Sequence, residues 1–368
     1  MRILSVIIGT PDENSSMWMR IKRQAEILSS LGHEVELCFY SFYSRHELSF
    51  EPPFKYSVMR VSPITVHLKH LINISRDSYD LLFCNLAPSA FISSLSRIRG
   101  IPIVLDNHGD LISERELYEP GILSKIYYSI VSSLSFRAAD RIICVSSSMM
   151  EDLRERGIPG RKLYYVTNAT DLDLFSPLDE EETDRVKSDL GLENRLTFGY
   201  IGADSKWQGV DNLIETGRRI DDDDLQFLYV GFSRNTVRSH NELYLPRVPF
   251  DEVKYYYGAC DVLVLPRPPH KSAEVAAPTK FAEYAAMGRP ILTTDVGDAA
   301  DLVRKYECGI VVDDNRPENL LRGIETFKSL PEDELVRMGE NARRMAEEEF
   351  SMEKMKQDLK NVIESLGV

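Results

Sequence analysis

The stretch Pro278–Gly297, PTKFAEYAAMGRPILTTDVG, reads as a helix running into a strand. Pro278 suits the first helical turn, where a missing N–H is harmless. Gly288 suits the left-handed position that ends a helix, and Pro290–Thr294 then has the β-branched character of a sheet strand. The helix N-terminus offers unpaired N–H groups and a partial positive charge beside Thr279 and Lys280, a ready place for a phosphate. Glu283, one turn further in, could accept hydrogen bonds from the two vicinal hydroxyls of a ribose. The same residues also read as an ordinary amphipathic helix of an α/β domain with a surface Lys and Glu. The rest of the chain has to decide.

Working outward, the second half repeats this strand–helix grammar. Leu196–Ile201, Leu225–Val230, Asp261–Leu265, Pro290–Thr294 and Gly309–Val312 are strand-like. Gly209–Ile220 is a helix with Val210, Leu213, Ile214, Gly217 and Ile220 on its inner face, and the last 35 or so residues read as helical. The first half does the same. Ile3–Ile8 is a strand, Gly9–Ser16 a polar loop, Trp18–Leu31 a helix stopped by Gly32, and Glu34–Tyr40 the next strand. That is the opening βαβ of a doubly wound sheet. Tyr79–Cys84, Ile101–Leu105 and Arg141–Val145 continue it, with helices over Ala90–Arg99 and Leu123–Ala139. Residues 41–75 have weak periodicity and predict short strands and loops. The expected organisation is two Rossmann-like α/β domains, 1–167 and 168–349, with a C-terminal helix over about 350–368.

The length of 368 residues favours two domains. The net charge of −14 is lopsided: residues 1–170 carry 19 Lys+Arg against 18 Asp+Glu, the remainder 25 against 40. An acidic total argues against general nucleic-acid binding. The five cysteines have no metal-type spacing; Cys38, Cys84 and Cys144 lie in apolar runs and read as buried and reduced. Arg2–Ile8 is too short for a signal peptide and reads as a strand, and no stretch approaches a transmembrane helix in length. The expectation is a cytoplasmic protein.

Open parallel sheets bind ligands at the carboxyl ends of their strands. Two features there suit a diphosphate and a ribose. One is the loop Gly202-Ala203-Asp204-Ser205-Lys206, able to present backbone N–H groups and a cation to phosphate oxygens; it also reads as a plain βα turn. The other is the Thr279-Lys280…Glu283 turn. In the first half, Asp106-Asn107-His108-Gly109-Asp110 follows a strand, and His108 is a candidate functional imidazole.

The succession Gly32-His33-Glu34-Val35, Asp106-Asn107-His108-Gly109, Ala139–Ser146, Asn168-Ala169-Thr170-Asp171, Trp207-Gln208-Gly209-Val210, Ala259–Pro266 and Pro278–Gly288 resembles the retaining GT-B glycosyltransferases of family 4, the "glycosyl transferases group 1" type, over roughly residues 1–355. The resemblance implies two Rossmann-like domains facing across a cleft, the first for the acceptor and the second for a nucleotide sugar, most readily UDP- or GDP-linked. By position, Glu283 would hold the ribose hydroxyls, and Thr279 and Lys280 would lie near the diphosphate. Val248 would stand near the base, and His108 would touch the transferred sugar. Gly9, Gly202 and Ser205 join the donor-binding set. The sequence departs from the common pattern in two places. Eight residues before Glu283, where a sugar-contacting Glu is usual, stands Val275, with Glu274 one residue out. The usual phosphate-neutralising Arg and Lys fall at Ala203 and Gln208, so Lys206, with Arg267 as helper, becomes the candidate phosphate cation.

Charge then dictates chemistry. Cleavage of an anomeric C–O bond leaves negative charge on the departing diphosphate, which Lys206, Lys280 and a helix N-terminus would stabilise. With no obvious nucleophilic carboxylate, the expectation is same-face attack, with no metal and no cofactor required. The acceptor is a glycan, a lipid-linked sugar or another hydroxyl, in cell-surface polysaccharide or glycoconjugate synthesis. Met17–Arg23 and Leu123–Phe136 are the two segments that could approach a membrane; Trp18 and Ile21 could equally face the core. The alternatives are a non-catalytic nucleotide-sugar-binding subunit, or an epimerase or phosphorylase on the same architecture.

Overall fold

The computed structural model describes the chain except residues 14, 43–47, 64, 77, 119–120, 193–194 and 368. It divides into two compact units, Met1–Thr167 with Glu353–Val368, and Asn168–Met352.

The first unit is a seven-stranded sheet of β1 (Arg2–Ile8), β2 (Glu34–Ser41), β3 (Lys55–Arg60), β4 (Leu81–Asn85), β5 (Ile103–Asn107), β6 (Arg141–Cys144) and β7 (Leu163–Tyr165), in the order β3-β2-β1-β4-β5-β6-β7. Every pairing is parallel. β4 and β5 are buried along their whole length, as near-continuous apolar runs require when both faces are covered. Its helices are α1 (Ser16–Ser30), α2 (Val66–Arg76), α3 (Ala87–Ser93), α4 (Leu111–Tyr118), α5 (Ile122–Ala138) and α6 (Ser147–Glu155). Ser15 caps α1, its hydroxyl accepting from the Trp18 N–H.

Three sequence expectations change here. Residues 41–75 hold β3 and a full helix, α2, rather than short strands and loops; residues 43–47 and 64 of that stretch lie outside the described ones, as does residue 14 of the first loop. The helix expected over Ala90–Arg99 starts at Ala87 and tightens into a 3-10 turn over Ser94–Arg99, ended by Gly100 in the left-handed conformation. Met17–Arg23 is no membrane-facing segment. Trp18 and Ile21 are core residues, and Arg20 and Arg23 are buried as well.

The second unit has β8 (Leu196–Ile201), β9 (Leu225–Val230), β10 (Val237–Ser239), β11 (Glu242–Leu245), β12 (Val262–Leu265), β13 (Ile291–Thr294) and β14 (Gly309–Val312), in the order β10-β11-β9-β8-β12-β13-β14. Among the described residues of this unit only the edge pair β10–β11 is antiparallel. Around the sheet lie α7 (Glu180–Leu190), α8 (Val210–Arg219), α9 (Val253–Gly258), α10 (Lys271–Glu274), α11 (Thr279–Ala286), α12 (Gly297–Tyr306), α13 (Pro317–Ser329) and α14 (Glu332–Glu349). The acidic run at 179–182 starts α7, where Asp179 caps and three glutamates complement the helix dipole. α11 begins at Thr279, so Pro278 takes the cap position rather than the first helical turn. Gly288 adopts φ +63°, as its reading as a helix stop requires. The last helix, α15 (Met352–Glu364), belongs to the first unit from Glu353 onward.

Candidate active site

In the second unit the strand order reverses between β8 and β12, which pair side by side. A doubly wound sheet opens a crevice outside the carboxyl ends of such strands. The chain leaves β8 through Gly202 and leaves β12 through Pro266-Arg267, so both segments meet at that crevice. α11 supplies the third side: the Lys280 ammonium donates to the Tyr200 hydroxyl at 2.5 Å and lies 4.0 Å from the same ring's centroid. Tyr200 in turn donates to the Ala203 carbonyl at 2.8 Å, tying the loop after β8 to α11. Gly202 has φ +146°, and a Cβ there would stand 2.4 Å from Lys280 Nζ. Only glycine gives this close approach.

Arg267 is 2% exposed. Its Nη2 donates to the Ala273 carbonyl at 3.0 Å and its guanidinium stacks 4.6 Å from the Trp207 ring centroid. Its Nε and Nη1 have no partner. Burial pulls its pKa down to about 10. Lys280 is lowered to about 7, first by burial and then by the Arg267 charge, with Glu283 opposing. Two buried cations thus press on each other with unspent donors. Such an arrangement is costly until an anion completes it.

One turn along α11, Glu283 is buried and accepts from the Tyr257 hydroxyl at 2.8 Å. Thr279 is half-buried at the first position of the helix, which no side chain caps. Lys206 is exposed on the 3-10 turn Lys206–Gln208, and half-buried Ser205 precedes it. Val248 packs partly buried against the core of this unit. Val275 is buried and Glu274 exposed.

In the first unit, His108 follows β5. Its Nε2 is sealed from water without a partner. Burial lowers its pKa to about 4, against the pull of the Asp106 carboxylate, so the imidazole is neutral near pH 7. Asp106 is fully buried and gripped by Arg20, whose Nη2 and Nε donate to it at 2.6 and 2.8 Å. Burial works against this carboxylate, yet Arg20 holds its pKa below the usual value. Arg20 also donates to the carbonyls of Val166 and Thr167, the last residues before the second unit. Gly9 closes β1 with φ +91° and donates to the Tyr40 carbonyl at 2.9 Å.

Within the second unit, then, Gly202, Arg267, Lys280 and Glu283 come together; His108 and Gly9 sit at strand ends of the first. Reading by sequence missed Tyr200 and Tyr257, whose hydroxyls meet partners 80 and 26 residues away. It also missed the Arg20–Asp106 pair, although Arg20 lies between Trp18 and Ile21 on the inward stripe of α1, an odd place for an unpaired base.

Residues 18–174 match the family described as Glycosyltransferase Family 4, and residues 182–345 match Glycosyl transferases group 1. The chain belongs to the family-4 glycosyltransferases. An uncharacterized glycosyltransferase of Methanocaldococcus jannaschii is 21% identical over 75% of this chain and 71% of its own length. Alpha-galactosylglucosyldiacylglycerol synthase of Streptococcus pneumoniae is 25% identical over 48% of each. Among solved structures, HepE of Anabaena, in complex with UDP and glucose, aligns with a TM-score of 0.77 at 17% identity over 99% of this chain and 100% of that one. The fold of this glycosyltransferase is therefore GT-B, and the family domains and glycosyltransferase relatives class it as a transferase.

Proposed function

We propose that this glycosyltransferase uses a nucleoside-diphosphate sugar, UDP- or GDP-linked, and transfers the sugar with retention to a glycan or lipid-linked hydroxyl, in polysaccharide or glycoconjugate synthesis. The observation that carries the donor reading is Arg267, its Nε and Nη1 buried and unpartnered, beside buried Lys280. A diphosphate supplies the two negative charges such a pair calls for, and the uncapped start of α11 adds backbone donors. Glu283 takes the ribose hydroxyls, with Tyr257 fixing its orientation. Val248 lies by the base. The similarity to HepE, solved with UDP and glucose, supports this class of donor.

As the anomeric bond breaks, Arg267 and Lys280 meet the growing charge of the leaving diphosphate in a dry setting, where each is worth most. Lys206, exposed on the following loop, is a third cation for the outer phosphate. These cations take the part a metal plays elsewhere, so the reading requires none. Neutral His108 serves as a hydrogen-bonding group for the transferred sugar, not as a proton reservoir. Attack comes from the face the leaving group departs, guided by the diphosphate.

The test is a thermal-shift panel of UDP, GDP, ADP and CMP with their sugars, EDTA present. One diphosphate family should raise the melting temperature, and Glu283→Ala should abolish most of the shift. If no nucleotide shifts the wild type, or if Glu283→Ala binds as tightly, the donor site is misassigned. Intact transfer in His108→Ala would remove that residue's role.

A further inference from the structure

The helix α5 is built inside out. Its inward positions carry Ser132 and Ser135 with Val131, Phe136 and Ala138, all buried. Ser135 Oγ lies 2.5 Å from the Ala87 carbonyl and 2.7 Å from that of Val131, so the small serine draws α5 close against α3. The outward positions carry Ile122, Leu123, Ile126, Tyr127, Ile130 and Leu134, between 41% and 81% exposed. Spaced at i, i+4, i+8 and i+12, they form one stripe. Together they leave on the order of 700 Å² of apolar side chain in water, more than the few hundred a monomer ordinarily shows in one patch.

The stripe has neighbours of the same kind. The 3-10 turn Ser94–Arg99 touches both α5 and α2. It exposes Leu95 and Ile98, while α2 exposes Leu68 and Ile72. Arg97 donates to the Ala138 carbonyl at the end of α5, and Arg99 to the Ile74 carbonyl and Ser75 hydroxyl in α2, knitting the three into one surface. In a chain of net charge −14, these three elements contain no Asp or Glu. They expose Lys69, Arg97, Arg99, Lys125 and Arg137. Asp140, just past the end of α5, pairs with Arg97 at 3.2 Å.

We infer that this face of the first unit docks on an anionic lipid surface, with α5 lying in the interfacial plane. Its apolar stripe enters the acyl boundary, Tyr127 sits at headgroup depth and the bases meet lipid phosphates. A second copy is the poorer occupant, because a two-fold contact would set the bases of α2, the 3-10 turn and α5, elements with no Asp or Glu of their own, against the same bases. Among the described residues no helix is long and apolar enough to cross a membrane, so the contact lies on the bilayer. The inference does not depend on the donor site.

Flotation of the full chain with vesicles tests it. Wild type should float with phosphatidylcholine containing about 30% phosphatidylglycerol. Binding should fall at least tenfold with phosphatidylcholine alone, or on raising NaCl to about 0.5 M. Ile126→Glu/Ile130→Glu and, separately, Lys125→Glu/Arg137→Glu should each cut binding by about tenfold or more while the melting temperature and any nucleotide shift stay as in wild type. Failure of wild type to float overturns the inference, as do equal binding to neutral and anionic vesicles or variants that bind like wild type. A dimer in sedimentation equilibrium that Ile126→Glu/Ile130→Glu dissolves, with no flotation, assigns the face to a second copy and overturns it too.

Discussion

At Lys280 a single proton decides whether the crevice holds one buried cation or two. The groups facing it are Arg267, Glu283 and Tyr200, and its pKa stands at about 7 in the empty protein. A diphosphate favours the ammonium, so binding raises that pKa and takes up a proton when the pH lies above 7. Affinity for the nucleoside diphosphate should therefore be flat below pH 7 and fall up to about tenfold per unit above it. Calorimetry in buffers of different ionisation enthalpy will register the proton uptake; a pH-independent affinity between 7 and 9 would remove Lys280 from the site. Lys280→Met should erase the pH dependence and weaken nucleotide binding. It should also stabilise the empty protein by about 1–3 kcal/mol, since a buried charge without an anion works against folding. A lower melting temperature for that variant would contradict this account.

Among the elements, one tight steric condition stands where the 3-10 turn Lys206–Gln208 gives way to α8. Gly209 has φ +73°, and a Cβ there would stand 2.1 Å from the Pro266 carbonyl. Gly209→Ala should cost about 2–4 kcal/mol and displace the segment carrying Arg267, seen as a lower melting temperature and a lost nucleotide shift. In the first unit, Arg20→Met strands the buried Asp106 carboxylate and should cost about 3–5 kcal/mol. Arg20→Met with Asp106→Asn should recover part of that, because the uncompensated charge is gone; chemical denaturation of the three variants compares them. These elements also mark what sequence could convey. Ile3–Ile8, Leu225–Val230 and Val262–Leu265 are legible because a strand covered on both faces must be apolar throughout. α2 was not legible: VHLKHLINISR mixes β-branched residues and histidines, and its helicity comes from burying Val66, His70 and Ile74 against the sheet. Thr279, Lys280 and Glu283 were legible from their helical spacing after Pro278. The weight of Arg267 was not, since nothing local tells that its guanidinium is sealed beneath Trp207.

Over the whole molecule, the two units should respond differently to acid. His70 and His108, both in the first unit, have folded pKa values of about 4 against an ordinary 6.5. Between these values the unfolded chain holds protons the folded chain lacks, so stability falls as the pH drops from 6.5 to 4. Asp106, whose pKa is lowered, contributes stability above the ordinary carboxylate value and loses it only as the pH falls through its depressed one. The second unit's histidines are His240, exposed at its surface, and His270, which caps α10 through the Ser272 N–H. Calorimetry from pH 7 to 4.5 should show the first unit's transition moving down further than the second's, and parallel movement would refute this.

The helix α15 carries a consequence for how the protein is made. Leu359, Val362 and Ile363 are buried, and Arg141 Nε donates to the Ser365 hydroxyl at 2.7 Å, so β6 waits for residues synthesised more than two hundred positions later. The second unit is in effect a domain inserted into the first. On the ribosome, the later-encoded half completes itself while the earlier-encoded half still lacks its closing piece. The nascent first unit must hold an open seam along β6 for the whole passage of its guest.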